Sequence, residues 1–128
     1  VRNDEIISTG YNGAPRGRLN CSELGCCTRE DLGIPSGERY ELCRSVHAEA
    51  NAIISAARRD MLGGTLYLVG RDAKTHELLE ETMPCSMCKR LIINAGITQV
   101  VVRTGSESHN VIHVRDWVFN DDSLPTGI

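Results

Sequence analysis

His47-Ala48-Glu49-Ala50-Asn51-Ala52-Ile53, followed well downstream by Pro84-Cys85-Ser86-Met87-Cys88, decides the reading of this chain. One imidazole and two thiolates make three zinc ligands. A structural zinc site closes its shell with a fourth protein ligand, whereas three ligands leave a position for water, whose pKa the metal lowers to about 7. His47, Cys85 and Cys88 are therefore read as ligands of a catalytic Zn2+. Glu49 is read as the general acid and base beside it, because one carboxylate can take a proton from that water and hand protons on in turn. Each motif lies where a helix is expected to begin, and the amide groups and dipole of a helix N-terminus favour thiolates on Cys85 and Cys88. Residues two apart stand about 200° apart around an ideal helix, so His47 and Glu49 cannot share one pocket from a helix interior. The first helix is thus expected to start within the motif, with Ser45 or Val46 near its N-cap.

Either motif alone carries little weight. A lone His-x-Glu is usually a solvated helix pair, and a lone Cys-x-x-Cys is as often a redox pair or half of a structural zinc knuckle. The two together, in this order and with Pro84 directly before the first cysteine, are specific. The remaining composition narrows the class. The chain has 128 residues, of which 41% are hydrophobic, enough for one core and too few for a second domain of ordinary size. No apolar run approaches the roughly 20 residues of a membrane span. A formal charge of −3 and an aromatic content of 4% offer neither a bulk basic surface for a phosphate backbone nor many platforms for stacking bases. A small substrate is favoured over a nucleic acid. Cys85 and Cys88 must stay reduced to bind zinc, which implies a cytoplasmic location. The chain begins at Val1, without Met, close to the end of an expected strand, so a preceding segment is expected to be missing.

Along the chain, strand and helix signals alternate. Glu5-Ile6-Ile7-Ser8-Thr9 reads as the end of a strand and Gly10-Tyr11-Asn12-Gly13-Ala14-Pro15-Arg16-Gly17 as a loop. An irregular stretch continues to about Arg44. Residues 46–59 are rich in alanine and isoleucine and predict the first core helix, ended by Gly63-Gly64. Thr65-Leu66-Tyr67-Leu68-Val69 predicts a buried strand, residues 86–94 a second helix stopped by Gly96, and Gln99-Val100-Val101-Val102 a further strand. This order implies a sheet with helices packed on it.

His-x-Glu paired with Pro-Cys-x-x-Cys is the signature of zinc nucleobase deaminases. Together with the loop from Gly10 to Gly17, these motifs resemble the deoxycytidylate deaminases of the cytidine deaminase superfamily, over about residues 6–102. The resemblance implies hydrolytic deamination of dCMP to dUMP by a homo-oligomer, commonly a hexamer, regulated by dCTP and dTTP. It implies a three-layer α/β/α fold with a mixed sheet of about five strands and helices on both faces. Carried over by residue, it makes Asn12 the group that holds the sugar, and the backbone around Ala48 and Thr82-Met83-Pro84 the lining of the base, with Glu49 also hydrogen-bonding the ring nitrogen. Phosphate recognition is the least fixed by sequence. Arg16, Arg18 and Arg44 are candidates because a monophosphate suits a guanidinium fork, although each type of residue is commonly a solvated surface charge.

Two segments lie outside the motifs. Cys21, Cys26, Cys27 and Cys43 punctuate a stretch similar to the extended loop of prokaryotic deoxycytidylate deaminases, and a second, structural zinc would staple a loop with too little apolar surface to fold alone. Equally, they read as small buried residues. After Val102 the chain departs from the family pattern. Val111-Ile112-His113-Val114 looks like strand, which argues against His109 and His113 as a ligand pair, and Trp117 and Phe119 are expected to anchor the C-terminal segment, up to Asp121-Asp122, on the core or on a neighbouring subunit. Deaminases of guanine, dCTP or tRNA adenosine, and a non-catalytic zinc-stapled binding module, remain the alternatives.

Overall fold

The computed structural model describes residues 1–120; Asp121 and Asp122 of the C-terminal segment lie outside the described residues. In chain order the elements are α1 (Cys21–Leu24), α2 (Thr28–Asp31), a 3-10 turn (Tyr40–Leu42), α3 (Ala48–Ile54), α4 (Arg58–Met61), β1 (Thr65–Leu68), α5 (Ser86–Asn94), β2 (Gln99–Arg103), β3 (His109–His113) and α6 (Val114–Phe119). β1 and β2 pair in parallel, Thr65 opposite Gln99 and Leu68 opposite Val102, and β3 adds antiparallel to β2. A parallel pair requires a crossover, and α5 supplies it.

The centre of the sheet is the Gln99-Val100-Val101-Val102 run. Val100 and Val102 are fully buried and meet Ile92 and Ala95 of α5, Ile97, Met61 of α4 and Val114 of α6. Ile53 of α3, Leu66 and Leu68 of β1, Ile112 of β3 and Trp117 pack around this cluster. Alternate residues of a strand share a face, which is why β-branched Val at 100 and 102 seats a helix. Gly96, at φ +77°, ends α5, and a Cβ there would lie 2.3 Å from Leu62 Cδ2, so both backbone conformation and space select glycine.

Several expectations need correction. The described sheet has three strands, not about five. Residues 5–9 do not form a strand. Glu5 makes only an isolated bridge to Arg2, and Ser8 donates its hydroxyl to Ala52 O. The reason is the absence of a partner strand among the described residues: a strand persists only where a neighbour takes its backbone bonds, and Ile6 is left 73% exposed. Residues 46–59 split into α3 and α4, because Ser55 Oγ bonds back to Asn51 O and the chain tightens through Ala56 N–H to Ile53 O. The N-cap of α3 is His47, not Ser45 or Val46, since Val46 exchanges both backbone hydrogen bonds with Gly13. The C-terminal strand reading holds as β3. Trp117 joins the core, whereas Phe119 stands 81% exposed and anchors nothing among the described residues. No helix among the described residues is long and apolar enough to cross a membrane.

Candidate active site and metal centre

Two helix starts face each other across the site, with α3 packed on α5. His47 is the N-cap of α3 and Cys85 the N-cap of α5, both in extended conformation. A cap residue is free of helical phase, so His47 and Glu49, the second residue of α3, are not held about 200° apart and the conflict disappears. Cys85 Sγ accepts from Cys88 N–H at 3.4 Å, which draws both sulfurs onto the first turn of α5. His47 Nδ1 lies 3.5 Å from Cys85 Sγ and 3.4 Å from Cys88 Sγ, and the three donor atoms lie within 4.8 Å of one another.

These distances test the fit of a metal. Zinc bonds of about 2.3 Å to sulfur and 2.0–2.1 Å to nitrogen, meeting at the tetrahedral angle, set N and S about 3.5 Å apart. Both imidazole–thiol separations therefore match those of a zinc site. Among the described residues this is also the one group of three or more such donors. Burial pushes the Cys88 thiol far above its ordinary range, and the neighbouring Glu49 carboxylate pushes it further. A cation held by His47, Cys85 and Cys88 would reverse this balance by compensating the thiolates, so its uptake would release protons and weaken as pH falls. Glu49 is 8% exposed and is not one of the clustered donors.

The loop before the 20s is stitched to the start of α3. Asn12 Oδ1 accepts from Ala48 N–H at 2.6 Å, providing the cap that the His47 side chain does not, and Asn51 Nδ2 donates to Tyr11 O at 2.8 Å. Gly10 lies so close to α3 that a Cβ would sit 2.4 Å from Ala48 O and 2.5 Å from Ala52 N. Asn12 is thus brought to the site, together with Ala48. Buried Pro84 leads directly into Cys85; Thr82 bonds Leu79 O through its hydroxyl, and Met83 is 52% exposed. Arg16 and Arg18 are exposed and in no ion pair, the one pair among the described residues being Arg39 with Glu41. Arg44 is half-buried and spends its Nε on Leu19 O, which leaves it less free to meet a phosphate. An apolar cleft of about 440 Å³ along β1 touches Ala48 and Glu49, but none of the three metal donors lines it.

The structure does not gather Cys21, Cys26, Cys27 and Cys43 into a group of three or more donors, and Cys26 points to solvent exposure. Elemental analysis of the purified protein is therefore expected to give about one zinc per chain, unchanged by Cys43→Ser; two per chain would place an ion on this segment. The same segment contributes a contact the sequence did not announce. The Tyr40 ring packs edge-to-face on His47, with centroids 4.9 Å apart and planes at 85°, and the Arg29 guanidinium lies 4.4 Å over the Tyr40 ring. No periodicity or motif marks either residue.

The family described as the cytidine and deoxycytidylate deaminase zinc-binding region matches residues 1–104. The chain belongs to this family. Its α/β fold, with helices on a mixed sheet, follows the family, and the His47, Cys85 and Cys88 cluster is compatible with the zinc of that family. The chain is 38% identical over 133 residues to a deoxycytidylate deaminase of Schizosaccharomyces pombe, covering 97% of this chain and 38% of that protein. It is 38% identical over 105 residues to the deoxycytidylate deaminase of Mycobacterium phage D29, covering 79% of this chain and 71% of that one. The deoxycytidylate deaminase of Saccharomyces cerevisiae is 34% identical over 95% of this chain. The chain thus spans well under half the length of the two yeast relatives. No solved structure matches it.

Proposed function

We propose that residues 1–128 act as one zinc-dependent deaminase domain that converts dCMP and water to dUMP and ammonia. The observation that carries this reading is the convergence of His47 Nδ1 on two thiols at 3.4–3.5 Å, with the buried Glu49 beside Cys88 but outside the donor set. A structural site needs a fourth protein donor and has no use for that carboxylate. Zinc held by these three residues supplies the Lewis acidity that makes water a nucleophile near neutral pH. Glu49 takes the proton from the attacking water, holds the ring nitrogen by a hydrogen bond, and delivers protons to that nitrogen and to the amine that leaves as ammonia. Asn12, tied to Ala48, positions the sugar at the start of α3. Arg16 and Arg18, exposed and unpaired, meet the phosphate, while Thr82, Met83 and Pro84 line the base.

Three deoxycytidylate deaminases among the relatives support this substrate. Exposed Ile6, Tyr67, Val69 and Phe119 suit assembly with further copies, a hexamer being the form the family resemblance favours, with dCTP and dTTP as effectors. A reducing, cytoplasmic compartment keeps the thiolates available. Following ammonia release from dCMP, deoxycytidine, dCTP and guanine tests the reading. dCMP is expected to be the best substrate and deoxycytidine a poor one, since charge-assisted hydrogen bonds to phosphate contribute about 1.5–3 kcal/mol each. Arg16→Ala or Arg18→Ala should weaken use of dCMP far more than use of deoxycytidine. Equal efficiency on both would remove phosphate from the account, and activity confined to guanine or an RNA stem-loop would replace the substrate.

A further inference from the structure

A three-donor zinc site holds its single imidazole by one bond, so the ring is free to swing unless something fixes its plane. In zinc proteins a partner of the ligating histidine normally does this, and its loss costs about 10–100-fold in metal affinity. No hydrogen bond from the other nitrogen of His47 to a carboxylate or carbonyl is present among the described residues. What meets the ring is Tyr40, edge-to-face at 4.9 Å and 85°. Tyr40 is itself held: Arg29 lies 4.4 Å over its ring, and the guanidinium is fixed by Nε to Glu38 O at 2.9 Å and by one terminal nitrogen to Pro35 O at 2.8 Å. The left-handed backbone at Arg39, φ 52°, turns the chain immediately before Tyr40. Arg29, Tyr40 and His47 thereby form a relay of contacts from α2, through the 3-10 turn, to the imidazole of the donor cluster.

We infer that Tyr40 is a positioning residue for the zinc-binding imidazole, and that the segment from α2 to the 3-10 turn serves to clamp it through Arg29. Aromatic edge-to-face packing resists rotation of both rings, and a guanidinium on the ring face adds cation–π attraction. This role rests on the reading of His47, Cys85 and Cys88 as a zinc site, but it does not depend on the substrate.

The test is metal binding by the full chain. Zinc affinity is measured by competition with a chromophoric chelator, and the geometry of the site by the visible spectrum of the cobalt-substituted protein. Tyr40→Leu is expected to bind zinc about tenfold more weakly and to shift the cobalt bands, whereas Tyr40→Phe, which keeps the ring, stays within about twofold of the wild type with its spectrum intact. Arg29→Met should shift the cobalt bands in the same direction as Tyr40→Leu. A merely structural Tyr40 would lower the melting temperature without moving the spectrum of the folded protein. Wild-type affinity and spectrum in Tyr40→Leu would overturn the inference alone. If that variant does not fold, an unaltered cobalt spectrum in Arg29→Met overturns it, and failure of the wild type to bind zinc would overturn the site reading as well.

Discussion

Glu49→Gln is expected to keep its zinc and lose turnover by about 10²–10⁴-fold, the range for removal of one acid-base group, and toward the upper end because this carboxylate serves several proton transfers. The structure separates the two properties. Glu49 lies outside the cluster of metal donors, so the amide leaves His47, Cys85 and Cys88 in place. Glutamine is nearly isosteric and keeps the hydrogen-bonding reach, but it cannot accept and release a proton at neutral pH. Elemental analysis and ammonia release on the same preparation check both halves. Near-wild-type turnover would remove Glu49 from the mechanism, and loss of zinc would make it a ligand.

Gly10→Ala should have the next largest effect, on folding and through folding on the site. The added Cβ would meet Ala48 O at 2.4 Å and Ala52 N at 2.5 Å, both backbone atoms of α3 that no rotamer change can move. Overpacking of this kind costs about 1–3 kcal/mol. The strain falls between Ser8, which donates to Ala52 O, and Asn12, which accepts from Ala48 N–H, so relief by retreat of the loop would also uncap the helix that carries His47 and Glu49. Denaturant unfolding is expected to place the midpoint clearly below that of the wild type. An unchanged midpoint would mean that the loop does not lie against α3.

The motifs were legible because their chemistry constrains spacing. Pro84-Cys85 and His47 mark helix starts, and helix starts are where two ligands, one on a cap and one in the first turn, can meet at a point. The strands at 65–68 and 99–103 were legible because β-branched and aromatic runs have few other uses. The count of strands was not, since residues 5–9 have strand composition but find no partner among the described residues, and pairing is a property of two segments. The clamp on His47 was also illegible. Arg29 and Tyr40 lie in a stretch without periodicity, and their contact with the metal helix depends on a turn at Arg39 that its own residue type disfavours. Asn12 was expected near the sugar by resemblance; its hydrogen bond to Ala48 N–H adds a structural role that only the approach of loop and helix reveals.

The proposed chemistry depends on an open zinc site built by one imidazole and two thiolates. X-ray absorption at the zinc edge of the purified protein measures that shell directly. Two sulfurs at about 2.3 Å and two light atoms at about 2.0–2.1 Å per zinc, one from His47 and one from water, are expected. Three or four sulfurs per zinc would mean a closed, structural site with no place for the reacting water.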